Sequence, residues 1–196
     1  MQDSETSPTE ETTTAGRILD VAQELIQRYG YSDVSYGDLA TELDLTTAAI
    51  HYHFPSKADL GRELVRRYRE VSAERLSAIR ERTDSLHERL TRYSSLYTDI
   101  FDRGGGCLCG VLAADASTLP EEVREETERF FEQQEEWLTE IIAAETTVPP
   151  LEGYDTPRQG AELILATIEG AMITKRTRDT GAYEVVLRRL IDAVAA

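Results

Sequence analysis

The chain has 196 residues, 40% of them apolar, enough for a real core in one ordinary domain or in a small domain beside a larger one. It carries 37 acidic against 21 basic residues, a formal net charge of −16, and no run of about 18 apolar residues that would cross a membrane. Cys107 and Cys109 are its two cysteines, too few and too close for a disulfide framework. The polar opening MQDSETSPTEETTTA has neither signal- nor transit-peptide character, so the expected address is the cytoplasm. Only Lys57 and Lys175 among the bases are lysines. Dense carboxylates with scarce lysine resemble a protein adapted to a high-salt cytoplasm, where salt screens their self-repulsion. An ordinary acidic mesophilic protein is the plainer alternative.

Residues 1–14 form a Ser/Thr/Glu tail, expected to be disordered. Nearly everything after them reads as helix, and no segment alternates at period two long enough for a strand. A first helix, about Thr14 to Tyr29, places Ile18, Ala22, Leu25, Ile26 and Tyr29 on one stripe, and Gly30 stops it. Ser35 and Asp38 form a capping box for a second helix that buries Leu39, Ala40 and Leu43. A turn at Asp44-Leu45 leads to Thr46, the cap of a third helix ending near Phe54-Pro55. Ser56-x-x-Asp59 opens a fourth, with Leu60, Leu64, Val65 and Tyr68 at helical spacing. Three short helices with a tight turn between the second and third make a helix-turn-helix arrangement. From Arg75 onward the pattern is of longer amphipathic helices, at about 75–102, 107–117, 121–145, 158–179 and 182–195. They are separated at Gly104-Gly105-Gly106, at Leu119-Pro120 and by a loop over 146–157. The expected fold class is all-α.

The stretch TTAAIHYHFPSK, Thr46 to Lys57, suggests what the third helix touches. A helix that reads DNA needs short side chains at base edges and hydroxyls or imidazoles at phosphates. Thr46 caps the helix and offers its hydroxyl where the helix terminus favours a phosphate. Thr47 and Ala48 occupy the first turn, and Ala48 suits a thymine methyl. His51 and Tyr52, one turn on, reach toward the sugar-phosphate backbone, while Ala49, Ile50 and Phe54 face Leu39, Leu43 and Leu45. Lys57 puts a cation in the first turn of the fourth helix, against its dipole. A DNA phosphate is the expected reason for that exception.

The segments GRILDVAQELIQRYGY, SYGDLATEL and TTAAIHYHFPSKADL, spanning residues 15–62, resemble the N-terminal domain of the TetR family of transcriptional regulators. The resemblance implies a three-helix helix-turn-helix DNA-binding domain over 15–60 and a larger all-helical effector-binding and dimerisation domain over 61–196. It places Ser35, Tyr36, Thr46, Thr47, Ala48, His51, Tyr52 and Lys57 at DNA-contact positions. It further implies a homodimeric repressor on a palindromic double-stranded operator, released by an unidentified small, mostly apolar effector. Two departures stand out. Asp44 occupies a turn where the family usually has Gly, a conformation Asp tolerates. Gly37 stands where a polar or basic contact is common.

The head is acidic. Between residues 15 and 60 the bases are Arg17, Arg28 and Lys57, against Asp20, Glu24, Asp33, Asp38, Glu42, Asp44 and Asp59. DNA-binding domains are normally basic. Either contacts in molar salt depend on hydrogen bonds and apolar fit, or the acids lie away from the DNA. Arg62, Arg66, Arg67 and Arg69 are candidates to restore local positive charge.

In the larger part, Tyr93, Leu96, Tyr97, Ile100 and Phe101 form one apolar-aromatic stripe, and Val123, Phe130, Phe131, Trp137, Leu138 and Ile141 another. Such stripes are core; in the family layout the core holds an effector cavity. Tyr93, Tyr97, Phe101, Cys107, Cys109, Phe130 and Trp137 are its candidate lining. The two cysteines read as small buried thiols, with a thiol-based redox sensor as the alternative. Residues i and i+2 on a helix point about 200° apart, so neither Cys107 and Cys109 nor His51 and His53 converge on a metal. The last two helices are the expected dimer surface, with Ile164, Thr167 and Ala171 on one and Leu187, Leu190 and Ile191 on the other, forming a four-helix bundle with their symmetry mates. Packing within one subunit is the alternative. No nucleophile-elbow, P-loop, dinucleotide or metal signature occurs, so no enzyme, catalytic residue or cofactor is expected. A non-binding adaptor that kept the helix-turn-helix shape is the remaining rival.

Overall fold

The computed structural model describes residues 13–102, 105–145, 156–176 and 182–194; the side chains of residues 101, 102, 182 and 183 also lie outside the described set. Among the described residues every regular element is helical. Residues 1–12 of the expected tail and 146–155 of the expected loop fall outside them.

Local capping chemistry sets the N-terminal helices. Helix α1, Thr14–Tyr29, starts where the Thr13 hydroxyl accepts from the Gly16 N–H at 3.1 Å and stops at Gly30, whose φ of 93° suits only glycine well. Helix α2, Tyr36–Leu43, opens on the Ser35–Asp38 capping box with both halves made. Asp44 closes it in the left-handed region at φ 52°, so the turn into α3 forms without a glycine. Helix α3, Thr47–His53, begins with Ala49 N–H donating to the Thr46 hydroxyl at 3.1 Å. Helix α4, Lys57–Arg82, begins on Ser56, which accepts from Asp59 N–H at 3.1 Å.

After α4 come α5, Leu86–Asp102; α6, Leu108–Ala114; a short 3₁₀ turn, Ala116–Thr118; α7, Glu121–Ala143; α8, Pro157–Lys175; and α9, Ala182–Val194. The break expected near Arg75 is absent. Leu76 and Ile79 extend the buried stripe begun by Leu60, Leu64 and Val65, so α4 continues for seven more residues, to Arg82. The chain turns instead at 83–85, where Ser85 accepts from Glu88 N–H at 3.2 Å to start α5. That Ser-x-x-Glu signature is present in the sequence and marks the true boundary.

The core is continuous. Ile18, Ala22 and Ile26 of α1, Leu39 of α2, Ile50 of α3 and Leu60 and Leu64 of α4 close the head. In the larger part α7 packs between α4 and α8, and α9 lies against α8 and α5. Helix α4 is uninterrupted through residues 60 and 61 and contributes to both parts. Gly61 sits at that joint, where an added Cβ would lie 2.8 Å from Val123 Cγ2 and 2.9 Å from Tyr31 Cε2. Gly61→Ala is therefore expected to overpack the joint and cost about 1–3 kcal/mol. Urea unfolding checks it; an unchanged midpoint would mean that α4 and α7 separate there without strain.

Candidate functional site

Helix α3 has one buried residue, Ile50, on the side that packs against α2. Everything else at its outer side is turned to solvent: Thr46, Thr47, Ala48, His51 and Tyr52 are exposed, and Tyr52 is 83% accessible. No packing within the chain accounts for an aromatic side chain left that open. Tyr36 braces the helix from α2. Its hydroxyl donates to the Phe54 carbonyl at 2.8 Å, and its ring centroid lies 4.6 Å from that of His51. His51 Nδ1 lies 3.2 Å from the Pro55 carbonyl, with the hydrogen on Nδ1, since a carbonyl only accepts. Burial, and then Asp59, push the Tyr36 phenol up to about 12, so it remains a neutral donor.

Ser35 and Lys57, also expected as contact residues, have protein partners as well. Ser35 is committed to its cap, donating to Asp38 Oδ2 at 2.6 Å. Lys57 Nζ donates to the Ser32 carbonyl at 3.2 Å and stands 4.6 Å from the Tyr31 ring centroid, a cation–π distance. Burial lowers its pKa against the pull of Asp33 and Asp38. Its place in the first turn of α4 thus has an explanation inside the head.

Charge is distributed differently from the sequence expectation. Arg62 pairs with Asp59, Arg66 with Glu63 and Glu70, Arg67 with Asp20 at 2.6 Å and Arg69 with Glu126 at 3.4 Å. These four arginines of α4 are spent on carboxylates and do not form a free basic patch. Asp20, Glu24 and Glu42 line a cavity on the side facing the larger part, away from the exposed residues of α3.

That cavity has a volume of about 740 Å³ and lies between α1, α4, α5 and α7. Tyr68, Leu96, Tyr97, Ile100 and Phe130 supply its apolar-aromatic surface, and Gln23, Gln27, Ser72, Arg75 and Gln134 its polar groups. Of the expected lining, Tyr97 and Phe130 reach it. Cys107 lines a different, smaller hollow. Tyr93, Cys109 and Trp137 are core: the Tyr93 ring stacks on Trp137 at 5.4 Å and its hydroxyl pairs with that of Tyr97 at 2.9 Å. The Phe101 side chain lies outside the described set. Sequence reasoning missed the wall from α1 and α4. Gln134 was the available signal, an amide on the apolar stripe between Phe130 and Trp137; it is 1% exposed and donates to Ser72 Oγ at 3.0 Å. Gln27 likewise donates from its buried amide to the Gly106 carbonyl at 2.7 Å, tying α1 to the start of α6.

Both cysteines are buried, and burial together with the Glu169 carboxylate pushes both thiols well above their ordinary range. A reactive thiol needs the opposite environment. The expected dimer residues are also placed differently: Ile164, Leu187 and Ile191 are buried in the chain's own core, and Thr167, Ala171 and Leu190 are partly covered. The exposed apolar residues of the same helices include Ala166, Ile173, Val185 and Val186. Packing of α8 on α7, and of α9 on α5, turns the larger aliphatic residues inward.

The geometry is shared with known proteins. Residues 18–64 match the family described as bacterial regulatory proteins, tetR family, and residues 76–184 match the LmrA/YxaF-like transcriptional regulator C-terminal domain. The chain is 28% identical over 154 residues to the nucleoid occlusion factor SlmA of Marinobacter nauticus, covering 78% of each. It is 30% identical to a TetR transcriptional regulator from Legionella pneumophila, with a TM-score of 0.87 over 96% of this chain and all of that one. A TetR-family regulator from Agrobacterium tumefaciens gives the same identity and TM-score over 93% of this chain and 97% of that one. Matched in both halves, and along nearly its whole length by solved relatives, the chain belongs to the TetR family of transcriptional regulators and is not an enzyme.

Proposed function

We propose that the chain is a cytoplasmic, homodimeric repressor that reads a palindromic operator through α3 and is released by a small, mostly apolar effector in the 740 Å³ cavity. The observation that carries the DNA reading is the outward face of α3, where Thr46, Thr47, Ala48, His51 and Tyr52 stand clear of the core on a helix seated by Ile50. Two such helices enter successive major grooves about 34–36 Å apart, or a multiple of that. Lys57, Ser35 and Tyr36 then act chiefly by holding the head in shape.

The cavity supports the release step because its walls belong to both parts. Residues 20 to 29 of α1 face Arg67 to Arg75 of α4 across it. An occupant that fills it sets the distance between the head's first helix and the helix on which the head is carried. Such linkage is worth typically about 1–3 kcal/mol. The dimer uses the last two helices, with Val185 and Val186 exposed on α9, and the acidic surface fits a high-salt cytoplasm.

The test is operator binding by fluorescence anisotropy, with DNA from upstream of the chain's own gene, from about 0.1 M to about 3 M KCl. Specific binding that persists into high salt is the expected result, because Arg62, Arg66, Arg67 and Arg69 are already paired and few counterions are released. A salt dependence as steep as that of basic repressors would refute the brine reading. No specific binding to that DNA or to selected genomic fragments would favour the adaptor.

A further inference from the structure

Among the described residues, the Glu169 carboxylate of α8 is turned inward with no arginine or lysine paired to it. Its Oε1 is shut off from solvent and has no hydrogen-bond partner among the described residues. Its Oε2 occupies the space above Gly110 of α6, where an added Cβ would approach to 2.2 Å; any other residue at 110 would expel the carboxylate. The Cys107 thiol hydrogen-bonds it, and Tyr68 and Tyr97 are near enough for its charge to act on their phenols. A thiol is a weak donor and leaves the charge of the ionised carboxylate unneutralised.

The carboxylate stands where two hollows adjoin. One, of about 480 Å³, is lined by Ala113, Phe131, Leu165 and Ile173, with Glu135 and Glu162 also contributing. The other, of about 340 Å³, reaches Tyr29 and Gly30 at the end of α1. Both contain Gly110, Ala114, Glu169 and Ile173. The nearby described bases are engaged elsewhere: Arg158 pairs with Glu135 at 2.6 Å and Glu162 at 3.4 Å, and Arg176 donates to the Arg28 carbonyl at 3.2 Å. The groove is apolar along its length and negative at its centre.

We propose that this groove between α6 and α8 is a second ligand site, distinct from the cavity beneath the head, and that it takes a small organic cation with an apolar body, its ammonium group held on Glu169 in the cradle of Gly110. The charge supplies the neutralisation that the chain withholds, and Phe131, Leu165 and Ile173 cover the ligand's body. The site bears on the head. Cys107, which bonds Glu169, follows Gly106, whose carbonyl holds Gln27 of α1.

Isothermal titration calorimetry on the full chain tests this with 4-phenylbutylamine, protonated at pH 8, and the neutral 4-phenylbutanol, in about 0.15 M salt to screen the acidic surface. The amine is expected to bind at least about tenfold tighter than the alcohol. Glu169→Gln should abolish the discrimination, and Gly110→Ala should weaken amine binding by displacing the carboxylate. Equal affinities in the unmodified chain, a comparison that needs no variant, would overturn the proposal. So would amine selectivity that survives in Glu169→Gln, which would assign the cation to Glu135 or Glu162. If Glu169→Gln alters only the dimer's dissociation and the amine gains nothing, the carboxylate serves the second copy of the chain and the ligand site is refuted.

Discussion

Tyr52→Ala is expected to weaken operator binding by about thirtyfold or more while leaving the unfolding midpoint unchanged. The side chain is 83% exposed, and its ring lies edge-on to that of His53 at 5.2 Å. Surface substitutions of that kind alter stability by no more than about 0.5 kcal/mol. On DNA the same side chain supplies a hydroxyl to a phosphate and a ring against the sugar. Together the two contacts are worth about 1–1.5 kcal/mol net, and the proposed homodimer would lose them twice, giving roughly 2–3 kcal/mol. Tyr52→Phe separates the two parts, since it removes only the hydroxyl. Anisotropy titration of both variants on one operator, beside a urea melt of each, makes the comparison. Unchanged affinity in Tyr52→Ala would show that α3 does not face the DNA along this edge.

The parts of the fold legible in the sequence are those governed by short-range chemistry. Ser35 with Asp38, Thr46 and Ser56 each announce a helix start by a hydroxyl that accepts a nearby N–H, and each does so in the structure. The same rule marks Ser85, yet the amphipathic pattern reads as a new helix from about Arg75, whereas Leu76 and Ile79 carry α4 on to Arg82. What the sequence could not disclose depends on contacts between distant segments. Lys57 reads as a cation in want of a phosphate until Tyr31 and the Ser32 carbonyl are seen beside it. Arg67 and Arg69 read as part of a basic patch until Asp20 and Glu126 claim them. Leu187 and Ile191 share a stripe that suits a dimer as well as a core, and only the docking of α9 on α5 and α8 decides between them. Glu169 is the extreme case. It sits in a helix with ordinary periodicity, and its burial follows from Gly110, which lies 59 positions away.

Glu169→Gln is expected to stabilise the protein at pH 8 and to leave it nearly unchanged near pH 4. Burial raises the carboxyl from its usual 4.5 to about 7, partly offset by the Cys107 hydrogen bond. Between those two values the folded chain holds a proton that the unfolded chain has released. Stability is therefore fully present below about pH 4.5 and is lost as pH rises through 7. The loss attributable to this group is on the order of 2–3 kcal/mol, since one pKa unit is about 1.4 kcal/mol and the stem of the side chain is partly exposed. The groups facing it do not confuse the window. Tyr68, Tyr97, Cys107 and Cys109 are all pushed upward by burial and stay neutral below pH 8. Asp115, Glu135, Glu162 and Arg176 line the same hollows and are common to both proteins, so the difference between them isolates position 169. Glutamine matches the protonated acid in shape and cannot titrate, so the variant escapes the loss. Urea unfolding of both proteins at the two pH values reads the gap directly. A gap of equal size at pH 4 and pH 8 would mean that the carboxylate is solvated in the folded chain, and that the cradle over Gly110 is open to water.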